Sequence, residues 1–292
     1  MRDMISRYAP APTGFLHLGH VVNAIYVWSV KRAEGGRVLL RIEDHDRQRS
    51  RAAYEAAILE DLEWLGFRAD GPLVRQSERG DIYSQALDTL RRQGRVYACT
   101  CSRAEIVSVG RPFQGRHDGG PERPALRSPI GPQWPASEPD ELWYPGTCRD
   151  RGLPECPGVG LRVRLDPTVE HFIDQRHGPQ AQQPSEQCGD LLVRDREGNW
   201  TYQFAATVDD YLQGVTHVIR GDDLLASTGR QIQLARLLGR REPAVFYHHP
   251  LIMKSPAQKL SKSDGDTGVR DLRAKGWTAE QVIAHARSLA QI

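Results

Sequence analysis

Residues 5–42 constrain the fold more than any other stretch, because an apolar strand, a proline- and glycine-rich loop, a helix and a second apolar strand follow one another there. The first strand runs around Ile5 to Ala9, and the second is Val38-Leu39-Leu40-Arg41-Ile42. Between them Leu18, Val21, Val22, Ile25 and Trp28 fall on one helix face, and Gly35-Gly36 supplies the stop. A βαβ unit of this kind predicts an α/β fold with a parallel sheet. The loop Pro10-Ala11-Pro12-Thr13-Gly14 then lies outside the carboxyl end of the first strand, where open α/β sheets bind ligands.

Two short motifs say what kind of ligand. His17-Leu18-Gly19-His20 puts two imidazoles three residues apart at the start of the first helix. The unpaired N–H groups and positive dipole end there favour a phosphate, to which imidazoles can donate as charge builds in a transition state. Lys259-Leu260-Ser261-Lys262-Ser263 reads as a polar loop whose ammonium groups can neutralise a pyrophosphate leaving group. Taken singly, the first motif could be two surface histidines and the second a solvated basic loop. Both in one α/β chain, at its opposite ends, point to an enzyme that holds a triphosphate from two sides.

The rest of the chain is consistent with one large domain or a domain carrying an insertion, for which 292 residues suffice. Helices are expected over Ala52 to Leu65, ending at Gly66, and Asp81 to Gln93, ending at Gly94. From about Ser102 to Gln187 proline and glycine are frequent, and a loop-rich subdomain is expected, with no secondary structure assigned to Gly110 to Pro139. A hairpin is predicted from Leu191-Leu192-Val193-Arg194 through Glu197-Gly198-Asn199 into Trp200-Thr201-Tyr202. A strand Thr216 to Ile219, a helix from about Leu224 to Leu238 and a last helix over Thr278 to Ala290, capped by Thr278, complete the pattern. The expected divisions are 1–98 and 191–263 for the two halves of the catalytic domain, 99–190 for the insertion and 264–292 for a short helical tail.

With 39 basic and 37 acidic residues the formal charge is +2, so any site for a polyanion has to be a local patch. No run of about 18 apolar residues occurs, and Met1-Arg2-Asp3-Met4-Ile5 lacks the apolar stretch of a signal peptide, which predicts a cytoplasmic protein without membrane contact. Five cysteines suggest thiols or metal ligands rather than a disulfide framework.

Longer signatures carry a family resemblance. Arg7-Tyr8-Ala9-Pro10-Ala11-Pro12-Thr13-Gly14-Phe15-Leu16-His17-Leu18-Gly19-His20 resembles, over its whole length, the opening signature of class I aminoacyl-tRNA synthetases of the glutamyl type. Arg41-Ile42-Glu43-Asp44, Val218-Ile219-Arg220-Gly221-Asp222-Asp223 and Lys259 to Ser263 are similar to the signatures that follow, and together they cover almost the whole chain. The resemblance implies a Rossmann-like catalytic domain with a parallel sheet and an inserted, zinc-stapled, loop-rich subdomain. It implies that Arg7 and Arg220 pair with substrate carboxylates, a task suited to guanidinium forks, and that Glu43 holds the ammonium group. Tyr8, Ala9, Pro10 and Ala11 line the same amino-acid site and Tyr202 adds a hydroxyl. His17, Gly19, His20, Lys259 and Lys262 serve ATP with its Mg²⁺, with His17, His20 and Lys262 as the catalytic groups. For Glu43 a helix cap over Asp44 to Ser50 stays open as another role.

Cys99-Thr100-Cys101 and Tyr144-Pro145-Gly146-Thr147-Cys148 supply three thiols that, with one more donor, could make a closed tetrahedral zinc site in a region poor in apolar residues. The resemblance implies one structural zinc on Cys99, Cys101, Tyr144 and Cys148; Cys156 stays open as a rival fourth ligand, and Cys188 is read as structural. After Ser263 only 29 residues remain, too few for the helical domains by which glutamyl-tRNA synthetases read an anticodon, so no anticodon-binding domain is expected. The resemblance therefore narrows to the truncated glutamyl-Q tRNA(Asp) branch, and implies a monomer that activates L-glutamate with ATP without tRNA. It then transfers glutamate to queuosine in the anticodon of tRNA(Asp). Two other readings stay open: a synthetase or catalytic remnant acting on a tRNA 3′ end, and a non-catalytic zinc- and nucleotide-binding protein.

Overall fold

The computed structural model describes residues 3–109, 142–255, 258–259 and 268–292. The chain opens as expected with strand β1 (Ile5–Tyr8), helix α1 (Leu18–Glu34) and strand β2 (Arg37–Ile42), and β1 and β2 pair in parallel. Gly36 makes the tight entry to β2 at φ +99°, where a Cβ would lie 2.1 Å from the Met4 carbonyl oxygen. Helix α2 (Ala52–Trp64), the short strand β3 (Val74–Arg75), helix α3 (Gly80–Arg92) and strand β4 (Val96–Cys99) follow, and β3 extends the first sheet in parallel with β2.

Past helix α4 (Arg103–Val109) lies the first departure from expectation. The stretch with a loop-like composition contains strands β5 (Gly160–Val163), β6 (Glu170–Asp174) and β7 (Gly178–Gln182) and the short helix α5 (Pro184–Gln187). Strand β5 runs antiparallel between β4 and β8 (Leu191–Arg194), while β6 and β7 form a hairpin that leaves this group altogether. Only β5 is buried throughout; β6 alternates buried and exposed residues, a weak signal in a stretch punctuated by proline and glycine.

The second departure is at Tyr202. The turn after β8 forms and Arg194 bridges Trp200, but Tyr202 then begins helix α6 (Tyr202–Leu212) instead of prolonging a return strand. Phe204, Ala205 and Val208 bury one face of α6 against α3 and β5, and this packing overrides the strand preference of Trp200-Thr201-Tyr202. Strand β9 (His217–Gly221) leads into a tight turn of helix, Asp222–Ser227, so that α7 (Thr228–Leu237) begins later than Leu224. Strands β10 (Val245–His249), β11 (Met253–Ser255) and β12 (Gln258–Lys259) and helices α8 (Val269–Ala274) and α9 (Ala279–Ala290) end the chain. Thr278 caps α9 by accepting from Gln281 N, and Gln281 Oε1 accepts in return from Thr278 N.

Strand β10 lies parallel to both β9 and β6, giving the order β7-β6-β10-β9. The residue before β9 joins this sheet to β1, since Thr216 N donates to Ile5 O and Ile5 N to Thr216 Oγ1, both at 2.8 Å. Across the molecule the strands therefore run β3-β2-β1-β9-β10-β6-β7. The order reverses between β1 and β9, and in doubly wound sheets that reversal opens a ligand crevice at the strands' carboxyl ends.

Candidate active site

A cavity of about 650 Å³ lies at that crevice, lined by Arg7 and Tyr8 at the end of β1, Arg220 and Gly221 at the end of β9, and Glu43 just after β2. Ala9, Pro10, Ala11, His17, Gly19, His20 and Tyr202 also line it. The structure thus brings together the amino-acid- and nucleotide-site residues picked out from Arg7 to Arg220. Lys262 lies outside the described residues, and Lys259 is described only through the backbone of β12. The backbone returns to the cleft at Gly268, which bridges His17, and Val269 N donates to Leu16 O at 2.9 Å.

Around Arg7 and Glu43 the wall is a network of buried charge. Arg7 donates from Nε to both oxygens of Asp210, at 3.0 and 3.1 Å, and from Nη1 to Ile219 O. Arg41, fully buried, donates to Asp210 Oδ1 at 2.8 Å and to Glu43 Oε1 at 3.0 Å. Asp210 is therefore the link between the arginine that faces the cavity and the one that holds Glu43. Burial disfavours the charge on Arg41, yet Asp210, Glu43 and Asp209 overcome it and hold its pKa above the ordinary value; Arg7 and Arg41 likewise keep the Asp210 carboxyl below its ordinary value despite burial. Tyr202 stands at the first turn of α6, and burial, then Glu43, raises its phenol, so its O–H remains a donor. Glu43 caps no helix: residues 47–49 form a turn in which Asp46 accepts from Gln48 N and Arg49 N.

The wall that carries His17 and His20 is built from helix α1 itself. His17 is its N-cap, with Nδ1 accepting from Gly19 N at 3.1 Å, and His20 Nδ1 accepts from His17 N at 3.1 Å. The two rings lie with centroids 3.9 Å apart. Because each Nδ1 is an acceptor, each neutral ring carries its proton on Nε2, the tautomer that can donate to a phosphate oxygen. The close approach of ring to backbone also explains Gly19, whose Cβ would meet the His17 ring at 2.9 Å.

Sequence reasoning passed over His249 and Asn23, which also line the cavity; His249 Nε2 lies 3.1 Å from Asn23 Oδ1 and its ring stacks on Tyr26. Their available signal was the position of His249 at the carboxyl end of an apolar strand.

Away from the cleft, the Sγ atoms of Cys99, Cys101 and Cys148 all lie within 4.8 Å of one another. A tetrahedral zinc thiolate has S–S edges of about 3.8 Å, and Cys101 Sγ lies 3.5 Å from Cys148 Sγ, so small shifts suffice for the cluster to hold the ion. Tyr144 Oη sits in the cluster, accepting from Cys148 N at 2.8 Å and from Cys99 Sγ at 3.4 Å. Its backbone is clamped by Gly189, at φ +68°, where a Cβ would fall 2.1 Å from Tyr144 O. Against burial, hydrogen bonds from Thr100, Cys101 and Tyr144 bring the Cys148 thiol down to about 6, whereas burial pushes Cys101 up to about 11. Cys156 is exposed and outside the cluster, and Cys188 is buried with its thiol on Pro184 O and Gly189 O.

Comparison with known proteins gives the family. The family "tRNA synthetases class I (E and Q), catalytic domain" matches residues 3–119 and 154–289. The chain belongs to this family. A glutamyl-Q tRNA(Asp) synthetase of Rhodobacter capsulatus is 39% identical over 285 residues, covering 94% of the chain and 96% of that protein. One from Geobacter sulfurreducens is 42% identical, covering 94% of the chain and 81% of that protein. Among solved structures, the glutamate tRNA ligase of Elizabethkingia meningosepticum in complex with its amino acid superposes with a TM-score of 0.70 at 30% identity over 91% of the chain. The chain spans about half of that ligase, 53% of its length.

Proposed function

We propose that the chain activates L-glutamate with ATP in the absence of tRNA and then transfers it to queuosine in the anticodon of tRNA(Asp). The observation that carries this reading is the gathering of Arg7, Arg220, Glu43, Tyr202 and the Nε2-donating His17 and His20 in a single cleft, in a chain similar over nearly its full length to glutamyl-Q tRNA(Asp) synthetases.

Arg7 and Arg220 hold the substrate's carboxylates, and Glu43, fixed by Arg41, holds its ammonium group. The α-carboxylate oxygen attacks the α-phosphorus of ATP; the new C–O–P linkage forms as the bond to the bridging oxygen breaks, and pyrophosphate leaves. His17 and His20 donate from Nε2 to the phosphate oxygens as charge accumulates, aided by the helix terminus they cap. Lys259 and Lys262 neutralise the leaving group. Mg²⁺ accompanies ATP and supplies charge screening along the phosphates. In the second step a hydroxyl of the queuosine cyclopentene attacks the adenylate carbonyl, AMP leaves and an ester forms.

Cys99, Cys101, Cys148 and Tyr144 hold one structural zinc, whose role is to staple β4 to the segment around Tyr144. Metal analysis of protein purified without chelator should give one zinc per chain, lost in Cys101→Ala and retained in Cys156→Ser. We place the protein in the cytoplasm, where its substrates are, as a monomer.

Radiolabelled glutamate supplied with tRNA(Asp) with and without queuosine tests the function. Label on the queuosine-containing tRNA alone, resistant to removal of the 3′ adenosine, is expected. Equal labelling of both tRNAs, or label at the 3′ end, would overturn the assignment.

A further inference from the structure

The two buried arginines of the cleft are held by opposite electrostatic means. Arg7 lies against the Asp210 carboxylate, so much of its charge is already compensated. Among the described residues Arg220 donates no hydrogen bond to a carboxylate, and Asp210 reaches it only through its field. Its Nε donates to His248 Nε2 at 2.9 Å, Nη1 to Gln231 Oε1 at 2.6 Å, and Nη2 to Thr228 Oγ1 at 2.9 Å and Leu224 O at 3.3 Å. These acceptors are neutral groups, as is the Tyr202 phenol that also bonds to it, and Arg220 is buried. A guanidinium so held keeps its charge for a carboxylate entering the cleft, where the low dielectric strengthens the attraction.

Of those acceptors, only His248 is conditional. An amide, a hydroxyl and a carbonyl accept by constitution, whereas imidazole accepts at Nε2 only when neutral and only with its proton on Nδ1. Asp174 supplies the second condition. Its Oδ2 lies 2.7 Å from His248 Nδ1 and accepts His248 N, while its Oδ1 accepts from Arg176 N and His177 N, so the carboxylate is surrounded by donors. Burial supplies the first: it outweighs the Asp174 contact and brings His248 down to about 4. Both side chains have 0% exposure, and neither lines the cavity.

We propose that His248, oriented by Asp174, is a positioning residue for Arg220, fixing the guanidinium in the cleft while leaving its charge to the amino-acid carboxylate. The proposal rests on the reading of the cleft as a glutamate site. It also gives the β6–β7 hairpin a purpose, since β6 pairs with β10 at Phe246↔Asp174 and so delivers Asp174 beneath the imidazole.

ATP–pyrophosphate exchange on the full chain tests it, with KM measured separately for glutamate and ATP. His248→Leu leaves a buried Arg220 donor without its acceptor and should raise the glutamate KM about tenfold with the ATP KM within about twofold. His248→Gln restores an oxygen near the Nε2 position and should return the glutamate KM to within about threefold of the parent. Should His248→Leu fail to fold, Asp174→Asn serves in its place, because an amide nitrogen facing Nδ1 moves the ring proton to Nε2 and should raise the glutamate KM alone. Unchanged glutamate KM in the folded variants, or glutamate and ATP KM rising together in all of them, would overturn the proposal. A parent protein with no glutamate-dependent exchange would instead overturn the reading of the cleft.

Discussion

The two sides of the cleft are made in different ways. The side proposed for phosphate is a helix terminus whose histidines are fixed by contacts two and three residues along the chain, His17 to Gly19 and His20 to His17. The amino-acid side is assembled from β1, β2, α6 and β9, with Arg7 and Asp210 separated by 203 residues and Arg41 and Asp210 by 169. A phosphate site can therefore be written in a tetrapeptide, while a site for a small zwitterion with a second carboxylate needs buried charges held by the whole fold. The difference teaches where substitutions should strike: stability on one side, chemistry on the other.

The sharpest way to break that comparison is Asp210→Ala. It leaves Arg7 and Arg41 in the interior without their shared counter-ion and should cost about 3–5 kcal/mol of folding stability, read from urea unfolding. If it costs less than about 1 kcal/mol, the charge network is not the frame of the amino-acid side.

His17→Ala should act in the opposite sense, lowering kcat about a hundredfold through loss of a phosphate donor while costing only about 1 kcal/mol as a lost cap. Comparable stability losses in His17→Ala and Asp210→Ala would erase the distinction between the two sides.

A pH series sharpens it further. His248 is held neutral by burial down to about 4, while the unfolded chain takes up the proton near 6.5. The folded state thus binds fewer protons between those values, and stability should be level above about pH 6.5 and fall as pH drops toward 4, by roughly 3 kcal/mol from this residue. His248→Gln should lack that component, so the difference between the two curves isolates it. The smallest effect is expected from Thr278→Ala, which removes the cap of α9 far from the cleft and should cost about 1 kcal/mol with kcat unchanged, the control that separates capping from chemistry in His17.

What could be read from the sequence follows the same division. Helices α1, α2, α3 and α9 were legible because caps, glycine stops and apolar spacing are local signals. The parallel β1–β2 pair and the residues of the cleft followed from signatures placed at strand ends. Helix α6 was not legible, because Trp200-Thr201-Tyr202 favours a strand locally and only packing of Phe204, Ala205 and Val208 makes it a helix. The β6–β7 hairpin was missed for a related reason: its place beside β10 is set by a long-range contact at Asp174 that no local pattern carries. The role of Asp210 was hidden in the same way, as an acidic pair within α6 that looks solvent-facing until Arg7 and Arg41 are set against it. Of the candidate zinc donors, Cys99, Cys101 and Cys148 meet as expected, and the exposed position of Cys156 leaves Tyr144 as the fourth group at the cluster.

The most direct measurement is ATP–pyrophosphate exchange in the complete absence of tRNA, with glutamate, glutamine and aspartate supplied in turn. A cleft with two buried arginines and a fixed glutamate should give exchange with glutamate and little with glutamine. No exchange with glutamate until tRNA is added, or equal exchange with glutamine, would contradict the account.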